Sequence, residues 1–276
     1  PVFVDIHFEN LALNENKVKK KINKNTLAIF LTHAMGYIGL SNKFINYIKN
    51  KNIYLVEDVC ESHGAKLGSK KAGTFGVISN FSFYYGHHMT TIEGGMISTN
   101  SKEGDRLAKM KRGHGLLRDS QDKYFIKKTI RKYKNLNNDF IFITEGFNFR
   151  NTEIAAVLGI EQLKRLNNSI KVRNENHKLY LKLLRGDIFF KDFNLKGSSS
   201  YGLHLILKNK NSKLFKKVLT ILDKNSIEYR LGSLGNQLRQ PYLKKIIKKR
   251  NISSLKNTEH MHFFSVYFGN NQFLEK

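Results

Sequence analysis

Short apolar runs alternate with amphipathic stretches over the first hundred residues. Residues 2–6, 27–31 and 53–57 each read as a short buried strand. Between them lie segments with helical spacing: a basic helix over 16–23, and a second over 44–50 in which Phe44, Ile45 and Ile48 share one side. Strand and helix in alternation predict right-handed crossovers and a largely parallel sheet. Ligands of such sheets sit at the carboxyl ends of the strands, which directs attention to His33 and to residues 58–63. Gly73-Thr74-Phe75-Gly76 marks a turn. Residues 78–85 and 92–98 read as two more strands, with His87 and His88 between them.

Further along, 102–110 reads as a helix and 116–140 as a long polar, basic loop. Residues 152–166 form a strong helical pattern, with Ile154, Val157, Leu158, Ile160, Leu163 and Leu166 in a stripe. A more basic helix is predicted over 170–184. The pattern changes near Tyr201: a strand over 203–207, a helix over 212–224, a strand at 228–230, and a helix opened by Pro241, a residue suited to a first turn. The expected organisation is a large domain over 1–170 and a smaller α+β domain over 171–276.

The 276 residues are 40% hydrophobic, enough for a sizeable core. The sequence holds no run of eighteen apolar residues, the length a membrane span needs, and its start lacks the features of a signal peptide. It also lacks an initiator Met, so the chain is expected to begin inside a fold. A single cysteine, Cys60, excludes an internal disulfide and a Cys-ligated zinc or iron–sulfur site, and it suits a cytoplasmic protein. The net charge of +26 would fit a polyanionic partner. The lysines are dispersed, however, from Lys19-Lys20-Lys21 to the run over 244–250, and no nucleic-acid motif accompanies them. Solvated basic faces are the better reading, with neither nucleic acid nor membrane as partner.

The chemistry concentrates in 57–96. Asp58 ends a strand, where an acid either caps the next turn or pairs with a cationic ligand group. Ser82 beside Gly86 could donate to a phosphate or be structural. His87 and His88 would point to opposite faces of an extended segment, so one metal does not readily take both and no metal site is expected. A single acid–base imidazole fits better.

Several ordered motifs carry a resemblance: Glu57-Asp58-Val59-Cys60-Glu61-Ser62-His63-Gly64-Ala65, Gly73-Thr74-Phe75-Gly76, Phe81-Ser82-Phe83-Tyr84, Glu93-Gly94-Gly95-Met96, and Phe147-Asn148-Phe149-Arg150-Asn151-Thr152-Glu153. They resemble the DegT/DnrJ/EryC1/StrS sugar aminotransferases. The resemblance implies the aspartate-aminotransferase-like α/β fold (fold type I), with a mostly parallel central sheet flanked by helices and a smaller C-terminal α+β domain. It implies pyridoxal or pyridoxamine phosphate as cofactor, with Asp58 on the pyridine nitrogen and Ser82 on the phosphate. Glu61 stands near the ring hydroxyl, where most members have Gln. Asn148 would reach a neighbouring subunit's site in a homodimer. The family's fold starts upstream of this sequence, so a phosphate-cradling loop is expected outside it.

One departure matters. The family's Schiff-base lysine position is His87, and no lysine occurs between Lys71 and Lys102. The cofactor would then be held non-covalently. The family's sugar-nucleotide 3-dehydratases share this replacement, which implies a nucleotide-sugar substrate, glutamate as amine donor, and His87 as general base. His114 matches a second histidine of that subgroup; its other reading is a loop residue near a turn. A catalytically inactive relative and a basic binding protein remain as alternatives.

Overall fold

A computed structural model describes residues 1–232, 235–247 and 251–274. Its first half runs α1 (Glu15–Lys21), β1 (Ala28–Thr32), α2 (Asn42–Asn50), β2 (Tyr54–Asp58), a ribbon of β3 (Lys66–Leu67) and β4 (Lys70–Lys71), β5 (Ile78–Ser82) and β6 (Gly95–Thr99). The main sheet has the order β1-β2-β5-β6. β1, β2 and β5 are parallel, and β6 returns antiparallel to β5. The mostly parallel sheet expected from the alternating pattern is therefore present. Ser41 caps α2 by accepting from the Phe44 N–H. The helix then packs Phe44, Ile45 and Ile48 onto Ile29, Leu31 and Leu55, with Val18 of α1 closing the cluster.

Residues 2–6 are not a strand. Ile6 alone forms a bridge, to Leu13. Phe3 and Asp5 of this segment serve the C-terminal part of the chain instead. Asp5 is buried and accepts from Lys17 Nζ at 2.6 Å, Thr258 N at 2.9 Å and Asn257 N at 3.2 Å. Phe3 packs on Leu238, Leu243 and Leu255.

After β6 come α3 (Lys102–Arg112) and α4 (Lys123–Lys132). The second helix lies inside the stretch expected to be a loop. Asp122 caps it by accepting from Phe125 N, and Phe125 lies under the Arg106 guanidinium at 4.1 Å. Its inner face is Phe125, Ile126, Thr129 and Ile130, with Lys127 and Lys128 exposed on the other side, so the helical period is present, set among surrounding polar residues. α5 (Glu153–Leu183) is one continuous helix where two were expected. Asn167, Asn168 and Ser169 are weak helix formers but not breakers, and Ser169 is buried. The expected boundary at 170 falls inside this helix.

The remaining elements are β7 (Gly202–Ile206), α6 (Ser212–Lys224), β8 (Arg230–Leu231), α7 (Pro241–Ile246), α8 (Lys256–Phe264) and β9 (Ser265–Gly269). β9, which the sequence reading lacked, is the centre of an antiparallel sheet ordered β7-β9-β8. The last three residues of the basic run, 248–250, lie outside the described residues.

Arg173 of α5 fastens this sheet to the rest. It is 5% exposed and donates to the carbonyls of Tyr201, at 3.2 Å, and Asn270. Asn270 Nδ2 returns bonds to the carbonyls of Arg173 and Ser200 at 3.0 and 2.8 Å. Burial pulls the guanidinium pKa down to about 10, so it stays charged at neutral pH. Arg173→Met strands two buried carbonyls and is expected to cost roughly 2–5 kcal/mol in urea unfolding. A change below about 1 kcal/mol would show that Arg173 is not a fastener.

Candidate active site

β2 and β5 are parallel neighbours with Asp58 opposite Asn80, so they deliver their last residues to the same end of the sheet. The acidic pair that ends β2 splits its duties. Glu57 is fully buried and builds the floor. Its carboxylate accepts from His33 Nε2 at 3.0 Å and from the N–H groups of Gly73, Phe75 and Gly76 at 2.6–2.8 Å. Burial alone would raise its pKa, but the bonds from His33, Gly73 and Gly76 outweigh it and hold the group ionised. This explains the turn motif: a Cβ on Gly76 would stand 2.4 Å from the Leu55 carbonyl oxygen.

Asp58 points to the open side. Oδ1 accepts from Asn80 Nδ2 at 2.9 Å and from Cys60 N at 3.1 Å, which fixes the carboxylate. Among the described residues Oδ2 accepts only from the Thr32 hydroxyl, at 3.4 Å, and can take another donor. Glu61 is anchored by the Met35 N–H at 2.9 Å. Burial raises its pKa; the Met35 bond opposes this and the Asp58 charge adds to it.

Ser82 ends β5. Its Oγ accepts from Tyr84 N at 3.3 Å, which leaves the O–H to donate. The loop beyond is closed by Phe83 N to Gly94 O and Thr91 N to Phe83 O, both 2.9 Å, and by a turn from His87 N to Tyr84 O at 3.0 Å. That turn folds His87 back over Ser82, whose carbonyl lies 3.3 Å from Nδ1. A carbonyl only accepts, so Nδ1 carries the hydrogen and Nε2 carries the lone pair. Burial lowers the His87 pKa, while the Ser82 carbonyl and the Asp58 charge work against it. His87 is therefore a neutral base at pH 7.

His88 diverges from it. Its Nε2 donates to the Ser199 carbonyl at 2.8 Å, and full burial drives its pKa well down. His63 lies in the stretch 58–63 that the strand-end rule singles out, but the sequence reading assigns it no role. It is 3% exposed, its ring lies 6.2 Å from His87 and 5.8 Å from His88, and neither ring nitrogen has a hydrogen-bond partner within normal geometry among the described residues.

His114 and Asn148 come together elsewhere. Gly113 bridges Asn148, and His114 N donates to Phe147 O at 2.7 Å. Both residues are exposed. No hydrogen bond or ring contact joins either to His87 among the described residues. Asn148 stands between Phe147 and Phe149, which stack at 4.8 Å and are 56% and 68% exposed.

Among the described residues no group of three or more His, Cys, Asp or Glu is placed to hold a metal ion. No described helix is long and apolar enough to cross a membrane. A cavity of about 580 Å³ lies between Phe215 and Phe263, away from the cradle. The cradle itself suits a phosphorylated heterocycle. It offers a fixed carboxylate with one receptive oxygen, a hydroxyl free to donate, and a neutral imidazole with its lone pair free.

A mostly parallel sheet with these groups at its carboxyl end, followed by a small antiparallel sheet, defines an aminotransferase-like fold of type I. Residues 1–264 match the DegT/DnrJ/EryC1/StrS aminotransferase family, and the chain belongs to it. The chain is 30% identical over 271 residues to the GDP-4-keto-6-deoxy-D-mannose 3-dehydratase of Escherichia coli O55:H7, covering 98% of this chain and 70% of that protein. It is 33% identical over 183 residues to the GDP-perosamine synthase of Escherichia coli O157:H7, covering 66% of this chain and 45% of that one. The solved E. coli GDP-4-keto-6-deoxy-D-mannose 3-dehydratase with bound hydrated PLP superposes with a TM-score of 0.84 at 29% identity, over 98% of this chain and 70% of that one.

Proposed function

We propose that this chain is a sugar-nucleotide 3-dehydratase that uses pyridoxamine phosphate to remove the C3 hydroxyl of a nucleotide-linked 4-keto-6-deoxy sugar. The observation that carries the reading is His87. It stands where amino transfer in this family requires a lysine, with Nδ1 tied to the Ser82 carbonyl and Nε2 free. Bound, the cofactor supplies an amine for the C4 ketone and a ring that stores an electron pair. Asp58 Oδ2 would pair with the ring nitrogen and keep it protonated, so that the ring can act as an electron sink. Ser82 Oγ would donate to the phosphate, and Glu61 would stand by the ring hydroxyl. His87 Nε2 would take a proton from the cofactor's aminomethyl carbon and, as imidazolium, return it to the departing C3 oxygen, which would leave as water. His114 is the second proposed acid–base histidine, carried on the exposed segment beside Asn148.

The exposed pair Phe147 and Phe149, and the exposed Ile154, Val157 and Leu163 on α5, support a cytoplasmic homodimer in which Asn148 enters the partner's site. A monomer in sedimentation at assay concentrations would overturn that part.

Incubation with pyridoxamine phosphate, glutamate and GDP-4-keto-6-deoxymannose is expected to convert the C3 carbinol to a methylene, followed by NMR. A change in cofactor absorbance without deoxygenation would mark a relative that keeps the site and has lost the chemistry. The absence of both signals would overturn the reading. His87→Lys gives a separate check. The variant is expected to retain the mass of pyridoxal phosphate after borohydride reduction and denaturation, whereas the wild type releases it. No retained mass in the variant would place position 87 away from the cofactor.

A further inference from the structure

Four groups surround the His87 imidazole, and one of them comes from the C-terminal sheet. The Ser82 carbonyl holds Nδ1. The Tyr84 ring lies 5.5 Å away at 71°, and the His63 ring 6.2 Å away at 81°. All three belong to the end of the main sheet. The fourth is Tyr201, which leads into β7 and meets His87 edge-on at 5.4 Å and 69°.

Tyr201 has little freedom to sit elsewhere. Its N–H donates to the Met35 carbonyl at 3.1 Å, and its own carbonyl accepts from Arg173 Nη1 at 3.2 Å. The loop below it leaves no slack: Gly36 has φ +90, and a Cβ there would stand 2.5 Å from the Tyr201 nitrogen. The ring thus projects from a clamped backbone across Gly86, where a Cβ would stand 3.6 Å from the phenol oxygen. Burial raises the Tyr201 pKa to about 12, with Glu61 contributing, so it remains a neutral phenol throughout the working range.

We propose that Tyr201 is a positioning residue for His87: its ring shuts water away from the imidazole and holds Nε2 toward the cradle. The proposal rests on His87 as the base. Burial is the main influence keeping His87 neutral, opposed by the Ser82 carbonyl and Asp58. The other titratable groups against it are His63 and His88, both themselves held neutral by burial, and Tyr84. None of them repels a proton on His87 at pH 7. Exclusion of water by the rings therefore decides the balance, and Tyr201 is the ring that closes the side of His87 away from Tyr84 and His63.

The test reads His87 directly in the unliganded protein, by following its Cε1–H through a pH titration in NMR. Tyr201→Leu is expected to raise the His87 midpoint by roughly half to one pH unit as water reaches the ring. The acidic limb of kcat in the assembled enzyme should move by the same amount, with KM little changed. Tyr201→Phe is expected to restore both. A midpoint unchanged in folded Tyr201→Leu, or Tyr201→Phe behaving like Tyr201→Leu, would overturn the proposal. If the leucine variant does not fold, the wild type still decides: an NOE from the Tyr201 ring to His87 Cε1–H is expected, and its absence refutes the contact. The titration stands whether or not the protein dehydrates sugars, so failure here is distinct from failure of the proposed function.

Discussion

His87→Asn is expected to leave cofactor binding intact and to lower kcat by about 10²–10⁴. The asparagine amide can donate to the Ser82 carbonyl as Nδ1–H does, so the loop between β5 and β6 should hold its course. The replacement removes the titratable Nε2, and with it the group that takes the proton and returns it to the leaving oxygen. The loss should appear in kcat rather than KM, because the interaction is made in the transition state. Cofactor binding is measured separately by fluorescence titration with pyridoxamine phosphate. Turnover within tenfold of wild type would show that another group is the base. His63, the nearest buried imidazole, would be the first candidate.

The second large effect is on stability. His63 and His177 have pKa values pulled down to about 4, and His204 to about 3, in each case chiefly by burial. His88 is lowered in the same way. A group whose folded pKa is depressed takes its proton more readily in the unfolded chain. Above pH 6.5 both states are neutral and the full stability is present. As the pH falls below that value, the unfolded chain binds protons that the folded one refuses, and stability is lost down to the folded values near 4 and 3. Each group contributes a slope of at most about 1.4 kcal/mol per pH unit, so four together can remove roughly 5 kcal/mol between pH 5 and 4. That rivals the whole stability of a typical domain. Asp5 and Glu57, whose pKa values are lowered, add to the loss at still lower pH. Urea unfolding across pH 4–7 measures the slope. His204→Phe suits the ring cluster of Tyr37, Phe193 and Tyr267 around it. It is expected to flatten the acid limb by about 1.4 kcal/mol per pH unit. An unchanged limb would mean that His204 is not part of it.

Much of the site is legible in the sequence because its chemistry is local. Asp58, Ser82 and His87 lie within one continuous stretch, at strand ends that the apolar pattern reveals. The rest depends on contacts that no local period encodes. Glu57 is a floor because His33 and the turn at 73–76 reach it from either side. Tyr201 and Arg173 matter because a helix and a strand far apart in the chain meet there. α4 is short, and its inward face of Phe125, Ile126 and Ile130 lies within a polar, basic stretch. β9 takes its meaning from β7 and β8, which pair on either side of it. Residues 2–6 have the apolar run of a short buried strand, yet they form no ladder; Phe3 packs on Leu238, Leu243 and Leu255, and Val4 on the core beneath β1 and α2.

A single-turnover reaction tests the central claim most directly. Protein loaded with one equivalent of pyridoxamine phosphate is mixed with GDP-4-keto-6-deoxymannose, and the sugar is followed by NMR at C3 and C4. The expected product has a methylene at C3 and keeps a C4 ketone. A sugar that keeps its C3 hydroxyl and gains an amine at C4 would contradict the account, because it would make the protein an aminotransferase despite His87.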